Sequence, residues 1–213
     1  MTRVVSWNCK VGRNTSTVVG NLQDLVRDLD PDVILLQEAK GYVSAIRDAF
    51  KKSWQIFADS DAGKDDPVMV REGISVSDWG TRKYTTHWVG PQGGDQKGRT
   101  WTYAVIDGTE YLSLHRCWGG TKDSNAKAYA DEASLLVKAY GSSGRPFVVF
   151  GDTNTSPSAS YPNSMKDIAK RTGGKLITPG GGIDYAVVRG VTGTMGSKKP
   201  YGSDHDAVLF VIK

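Results

Sequence analysis

Two cysteines in a chain of 213 residues are too few for a disulfide framework. Cys9 and Cys117 are expected as buried, reduced thiols, and nothing around either resembles a thiol-catalysis motif. No apolar run comes near the roughly 20 residues that cross a bilayer. The opening residues MTRVVSWNCKVG lack a basic segment followed by an apolar stretch, so no secretory signal is read there. A cytoplasmic protein is the expectation, with no membrane association and no obligate protein partner. Repeats, linkers and low-complexity tracts are missing too. With 38% hydrophobic and 23% charged residues, the composition fits one large soluble domain over residues 1–213. The excess of positive charge is modest, +4 in formal terms with a pI near 9.0. That permits a polyanionic partner such as nucleic acid without requiring one.

What is present is an alternation of short apolar runs with helical patterns. RVVSW reads as a strand. Val18, Val19, Leu22, Leu25, Val26 and Leu29 then recur at helical spacing behind a capping segment at Asn14–Ser16, and Pro31 stops the helix. DVILLQ is a continuous apolar strand of the kind buried on both faces. YVSAIRDAF reads as a helix and WQIFA as a strand. Four strand-like runs follow, PVMVRE, RKYTTHWV, RTWTYAVI and EYLSLHRC, with DGTE as a hairpin turn and PQGGDQKGR as a polar loop. NAKAYADEASLLVKAYG is a helix, PFVVFGD a buried strand, the stretch from Tyr161 to Gly174 contains a helix, and IDYAVV and AVLFVI close the chain as strands. The β-α-β-α-β opening argues for an α/β fold with some parallel pairing.

Polar residues fall at the ends of these strands. Asn8, Glu38, His115 and the pair Asp152 and Asn154 each follow an apolar strand, whereas Asp184 and the pair Asp204 and His205 each precede one. If the last two strands run opposite to the others, all these positions collect on one edge, where α/β proteins bind ligands. Loops often start with Asp, Asn or His for local reasons alone, so the weight lies in the set.

The set suits phosphate chemistry. Magnesium prefers oxygen ligands and needs only one or two carboxylates. Glu38 is the first candidate, with Asn8 supplying an amide oxygen or donor nearby and Asp204 facing the metal side. Asp152 could orient or deprotonate a water while Asn154 donates to a phosphate; the bland alternative is an Asx-type turn. His205 could offset developing negative charge if a carboxylate holds its ring, and Asp184 is placed to do so. Asp206 is read as a bystander.

The stretches SWN (6–8), DVILLQE (32–38), LSLH (112–115), VVFGDTN (148–154), IDYAVV (183–188) and GSDHDAV (202–208) together resemble the endonuclease/exonuclease/phosphatase superfamily, the deoxyribonuclease-I-like metal-dependent phosphoesterases. They occur in that group's order along almost the whole chain. The resemblance implies a four-layer α/β/β/α sandwich of two packed mixed sheets flanked by helices. It also implies hydrolysis of phosphate esters with Mg2+ or Mn2+. By position it suggests Glu38 as main metal ligand with Asn8 and Asp204 nearby, Asp152 on the water, Asn154 on the phosphate, and the His205–Asp184 pair on the transition state. His115 matches the histidine that deoxyribonuclease-like members place beside the scissile phosphate. Lys10 stands where apurinic endonucleases carry an acid, so a further acidic ligand there is not expected.

The substrate is less determined. A nuclease cleaving DNA or RNA is the first reading, with Lys97, Arg99, Arg116 and Lys122 as phosphate contacts and Trp118 as a stacking residue. A phosphatase or phosphodiesterase acting on a small or lipid phosphate is the second. A non-catalytic nucleic-acid-binding domain is the third; it has no use for Glu38, Asp152 and the Asp184–His205 pair together.

Overall fold

Strands β1 (Thr2–Asn8) and β2 (Val33–Gln37) lie parallel, with helix α1 (Thr15–Leu29) connecting them. This computed structural model describes residues 1–58, 66–91, 93–119, 125–179 and 182–213, with backbone only at 197 and 198. The side chain of Asn14 caps α1 by accepting the Ser16 N–H, and Asp30 closes it in a left-handed conformation just before Pro31. Buried Val18, Leu22, Leu25 and Leu29 form one stripe of α1 facing the sheet. Helix α2 (Val43–Phe50) packs beside α1, and β3 (Trp54–Phe57) and β4 (Val68–Arg71) extend the sheet.

The second half repeats the plan. It comprises β5 (Asp78–Lys83), β6 (Trp88–Val89), β7 (Asp95–Gln96), β8 (Thr100–Ile106), β9 (Thr109–His115), α3 (Ala126–Tyr140), β10 (Phe147–Asp152), α4 (Met165–Thr172), β11 (Lys175–Ile177), β12 (Asp184–Arg189), β13 (Gly193–Lys199) and β14 (Ala207–Ile212). One sheet has the order β13-β14-β1-β2-β4-β3, the other β11-β12-β10-β9-β8-β5, and β6 pairs with β7 alone. In each six-stranded sheet the central pair is parallel, β1 with β2 and β10 with β9, and the other pairings are antiparallel.

Three apolar layers follow from strand alternation. Val4, Val33 and Leu35 of one sheet meet Ala104, Val148, Phe150 and Ala186 of the other between the sheets. On the outer faces Val5, Trp7, Ile34 and Leu36 pack under α1 and α2, while Leu112, Val149 and Val187 pack under α3 and α4. The architecture is therefore helices, sheet, sheet, helices, as the resemblance implied. Because β2 and β10 are buried on both faces, they carry unbroken apolar runs.

Some elements differ from the sequence reading. RKYTTHWV is not one strand: β5 ends at Lys83, and Trp88–Val89 pairs with Asp95–Gln96 inside the segment expected as loop. The edge strands β11 and β13 were not anticipated. β11 has three residues, and β13 (GTMGSKK) has two glycines and a register irregularity between Met195 and Lys198. Edge strands with one partner do not need an apolar pattern. Cys9 and Cys117 are buried free thiols. Among the described residues no helix is long and apolar enough to cross a membrane.

Candidate active site

Register builds the site. Asp152 ends β10 directly opposite His115 of β9 on one side and Asp184 of β12 on the other. In the other sheet Asn8 ends β1 opposite Gln37, so Glu38 emerges beside it. β12 and β14 run antiparallel to β10 and β1, the reversal needed to bring the residues preceding them to the same edge. Side chains then join the two sheets. Asn8 Nδ2 donates to Glu38 Oε1 at 3.2 Å and to Asp152 Oδ2 at 3.1 Å. His115 Nε2 and His205 Nε2 lie 3.6 and 3.7 Å from that same Asp152 oxygen, and His205 Nδ1 is 2.9 Å from Asp184 Oδ2.

The backbone around these groups is held in costly conformations. Lys10, Glu38 and Asn154 have φ of 61°, 56° and 52°, a left-handed region that Lys and Glu rarely adopt. Hydrogen bonds fix them there: Lys10 N donates to Asn8 Oδ1 (2.9 Å), Val11 N to Glu38 Oε2 (2.7 Å), and Asn154 N to Asp152 Oδ1 (2.9 Å). The last is the Asx-type turn held open by the sequence, and it aims the Asp152 carboxylate. Gly151 is required because a Cβ there would lie 1.9 Å from Leu114 O.

Sequence reasoning overlooked several supports. Fully buried Gln37 bridges the sheets, accepting from Ser6 Oγ (3.2 Å) and donating to Ser113 Oγ (3.0 Å), and Ser113 Oγ in turn donates to Leu36 O (2.7 Å). The signal was present: Ser6 and Ser113 each interrupt an apolar strand two residues before a site residue. Ser203 Oγ donates to Asn8 O at 2.8 Å and accepts the His205 N–H at 3.2 Å, tying the two ends of the chain together at the site. Asp66, fully buried, places Oδ1 3.7 Å from His115 Nδ1. Like Asp184, it is an acid just before an apolar strand.

The two imidazoles carry opposite charge states. Burial, reinforced by the Arg99 and His205 charges, pushes His115 well below the ordinary histidine range. Arg99 Nη1 contacts His115 Nδ1; because guanidinium can only donate, this selects the tautomer whose proton is on Nε2. Burial alone would lower His205, but the hydrogen bond and charge of Asp184, with Asp152 and Asp204 adding, outweigh it and raise it to about 9. Burial, then the Asp184 charge, push Asp152 up to about 6. At neutral pH the site therefore holds a neutral imidazole, an imidazolium and a carboxylate of raised basicity, a division typical of acid–base roles.

A divalent cation fits here on the chemistry of the donors. Atoms of Glu38, His115 and Asp152 lie within 4.8 Å of one another, as do those of Asp152, Asp184 and His205. His115 Nε2 is protonated in the tautomer just given, and His205 is committed to Asp184. Glu38 and Asp152 remain, an oxygen set suited to a hard ion.

The remaining expected residues are placed differently from one another. Asn8 turns its amide nitrogen to the carboxylates and its oxygen to Lys10 N, so in this arrangement it positions the acids. Asp204 is exposed and pairs with Lys10 Nζ at 2.9 Å; it belongs to neither cluster of metal-competent atoms, although its charge reaches His205. Arg116 is not a solvent-facing phosphate contact. It is fully buried, with Nε 3.0 Å from Glu132 Oε2 and the other nitrogens donating to the carbonyls of Asn163 and Tyr129. Trp118 is half-buried against Trp88, Cys117, Ala128 and Tyr129, covering a small apolar cluster. Asn154 Nδ2 donates to Arg116 O at 2.8 Å. Lys97 is exposed and Arg99 half-buried beside His115. Lys122 lies outside the described residues.

Comparison with solved structures places this architecture among known proteins. An endonuclease/exonuclease/phosphatase from Bacteroides vulgatus aligns with a TM-score of 0.74 at 16% identity, covering 100% of this chain and 98% of that one. D. rerio TDP2 complexed with single strand DNA product gives 0.65 at 15% identity, covering 100% and 98%. A mannosyl-6-phosphatase from Bacteroides thetaiotaomicron gives 0.66 at 14% identity, covering 100% of both. At these identities the likeness is one of fold. A search of curated proteins finds no match. The profile describing the Endonuclease/Exonuclease/phosphatase family matches residues 5–205, from the middle of β1 to His205. A match spanning both sheets and all the strand ends that meet at Asp152 shows that the chain belongs to this family of divalent-metal-dependent phosphoesterases.

Proposed function

We propose that this protein is a nuclease, hydrolysing phosphodiester bonds of DNA or RNA by in-line attack of an activated water. The observation that carries the reading is the surrounding of Asp152 Oδ2: a neutral imidazole at 3.6 Å, a charged imidazole at 3.7 Å and the Asn8 amide at 3.1 Å. Asp152, raised to about 6, is a carboxylate at neutral pH and basic enough to take a proton from water as its oxygen approaches phosphorus. His205, held by Asp184, presents Nε2–H to a non-bridging oxygen as negative charge accumulates. His115 presents an uncharged N–H on the opposite side. A magnesium or manganese ion held by Glu38, with Asp152 facing it, would supply positive charge against the phosphate and leaving oxygens.

Nucleic acid is favoured by the net charge of +4 and by exposed lysines that line a cleft with Arg99, the neighbour of His115; D. rerio TDP2, of similar fold, is complexed with a single strand DNA product. The test is a substrate panel of plasmid, single-stranded DNA, RNA, a chromogenic phosphodiester and a phosphomonoester, each with magnesium, manganese or chelator. Cleavage of nucleic acid that vanishes with chelator and in His205→Ala is expected. Turnover of the monoester alone would replace this reading with a phosphatase, and binding without turnover would replace it with a binding domain.

A further inference from the structure

A cleft of about 660 Å³ opens at Arg99, the neighbour of His115, between the loop after β2 and the segments that flank the β6–β7 pair. Its lining includes Lys40 on one side and Lys83, Lys97 and Arg99 on the other. The three lysines are exposed, and among the described residues none has an ion-pair partner. The acid on its wall, Asp95, is 2.9 Å from His87 Nδ1. The cleft is thus strongly cationic, in a protein whose 27 basic residues only slightly outnumber 23 acidic ones.

The wall is built rather than draped. Tyr84 N donates to Arg99 O at 3.1 Å and Trp88 Nε1 to Lys97 O at 3.1 Å. Gly98 sits where a Cβ would come within 2.0 Å of Tyr84 O, so the two segments close only around glycine. Arg99 links cleft to catalytic edge, with its guanidinium 5.0 Å from the Trp88 ring centroid and in contact with His115. The aromatics that line the cleft, Tyr84 and Trp88, are only 6% and 5% exposed. They offer no free face to a base.

We infer that this cleft is a second phosphate subsite: it takes the backbone of one nucleic-acid strand beside the scissile bond and reads no bases. Exposed ammonium groups without ion-pair partners recognise phosphates, whereas sequence is read by base-edge contacts or stacking. The volume of about 660 Å³ lies in the range of sites for one small ligand, room for a short stretch of one strand's backbone. The inference rests on the nuclease reading above and specifies its substrate.

The test compares wild type with a Lys83→Ala/Lys97→Ala variant and, separately, with Lys40→Ala on the opposite wall. The readout is the ratio of kcat/KM on a single-stranded oligonucleotide to kcat/KM on a chromogenic phosphodiester with one phosphate. In the double variant this ratio should fall about tenfold at low salt, and the slope of log kcat/KM against log salt should shrink by about 0.7 per lysine removed. The loss should be equal for purine and pyrimidine strands. Lys40→Ala should show a smaller loss of the same kind, which covers the case in which the double variant folds poorly. If wild type cleaves oligonucleotides but ratio and slope are the same in all variants, the subsite is refuted and the nuclease reading stands. A loss confined to one base type also overturns the inference. Turnover of small esters alone overturns both.

Discussion

Replacing Asp184 with Asn separates charge from shape at the catalytic edge. Asp184 Oδ2 lies 2.9 Å from His205 Nδ1. An Asn carbonyl can accept the same hydrogen bond, and its amide group would take the place of Oδ1, which is buried and makes no hydrogen bond among the described residues. What disappears is one negative charge. Burial then dominates His205, whose value should drop from about 9 to the ordinary histidine range or lower. At pH 8 an imidazole of pKa about 9 is about 90% protonated, against about 3% at a pKa of about 6.5. If the imidazolium is the active form, kcat should fall about 30-fold at pH 8 and less than about twofold at pH 6. The same substitution removes a charge that helps raise Asp152, so the acid limb should also move down. The sign follows from the roles: Asp152 must be ionised, so activity rises with pH through its pKa; His205 must be protonated, so activity falls as pH passes its own. The assay is the pH–rate profile on a phosphodiester at saturating metal, with an NMR titration of the His205 ring in metal-free protein. An equal loss at pH 6 and pH 8 would refute the reasoning, since Asp184 would then only position the ring.

Three other outcomes are expected. Asp152→Ala should lower kcat by about 10²–10⁴-fold, the cost of losing a general base, in a protein whose circular dichroism is that of wild type. Glu38→Gln should move the midpoint of a magnesium or manganese titration to higher concentration, while saturating metal recovers part of the activity. Arg116→Ala should destabilise by about 3–5 kcal/mol in denaturant unfolding, because it leaves Glu132 as a fully buried, unpaired acid; a change confined to nucleic-acid affinity would show Arg116 to be a surface contact after all.

Most of the architecture could be read because the decisive strands are buried on both faces. DVILLQ and PFVVFGD admit no polar residue until they end, so their limits and the position of the next residue are sharply marked. α1 was legible from both ends, through the Asn14 cap and Pro31. Among the described residues, the strands that escaped bury none fully and so carry no continuous apolar run to advertise them. GTMGSKK and KLI are each the edge strand of one sheet, paired with one neighbour, and Asp95–Gln96 is exposed along its length.

The candidate site was legible in its residues and less so in its pairings. Strand ends fixed where Asn8, Glu38, His115, Asp152 and Asp184 must stand, because register alone aligns His115, Asp152 and Asp184 across three strands. Which group neutralises which is set in three dimensions, and sequence spacing carries little of it. Arg116 and Lys97 are both cations near the ends of strands, yet Arg116 lies one residue past β9, where the chain turns inward onto Glu132 of α3, and Lys97 sits where a glycine-dependent wall turns its side chain out. The same holds for Asp204 and Asp184, twenty residues apart in sequence and both beside a histidine. Asp184 is buried against His205 Nδ1, so its hydrogen bond and charge raise His205 most; Asp204, mostly exposed and paired with Lys10, adds less. An acid matters to catalysis here according to the dielectric between it and the imidazole, and that quantity exists only once the sheets have packed.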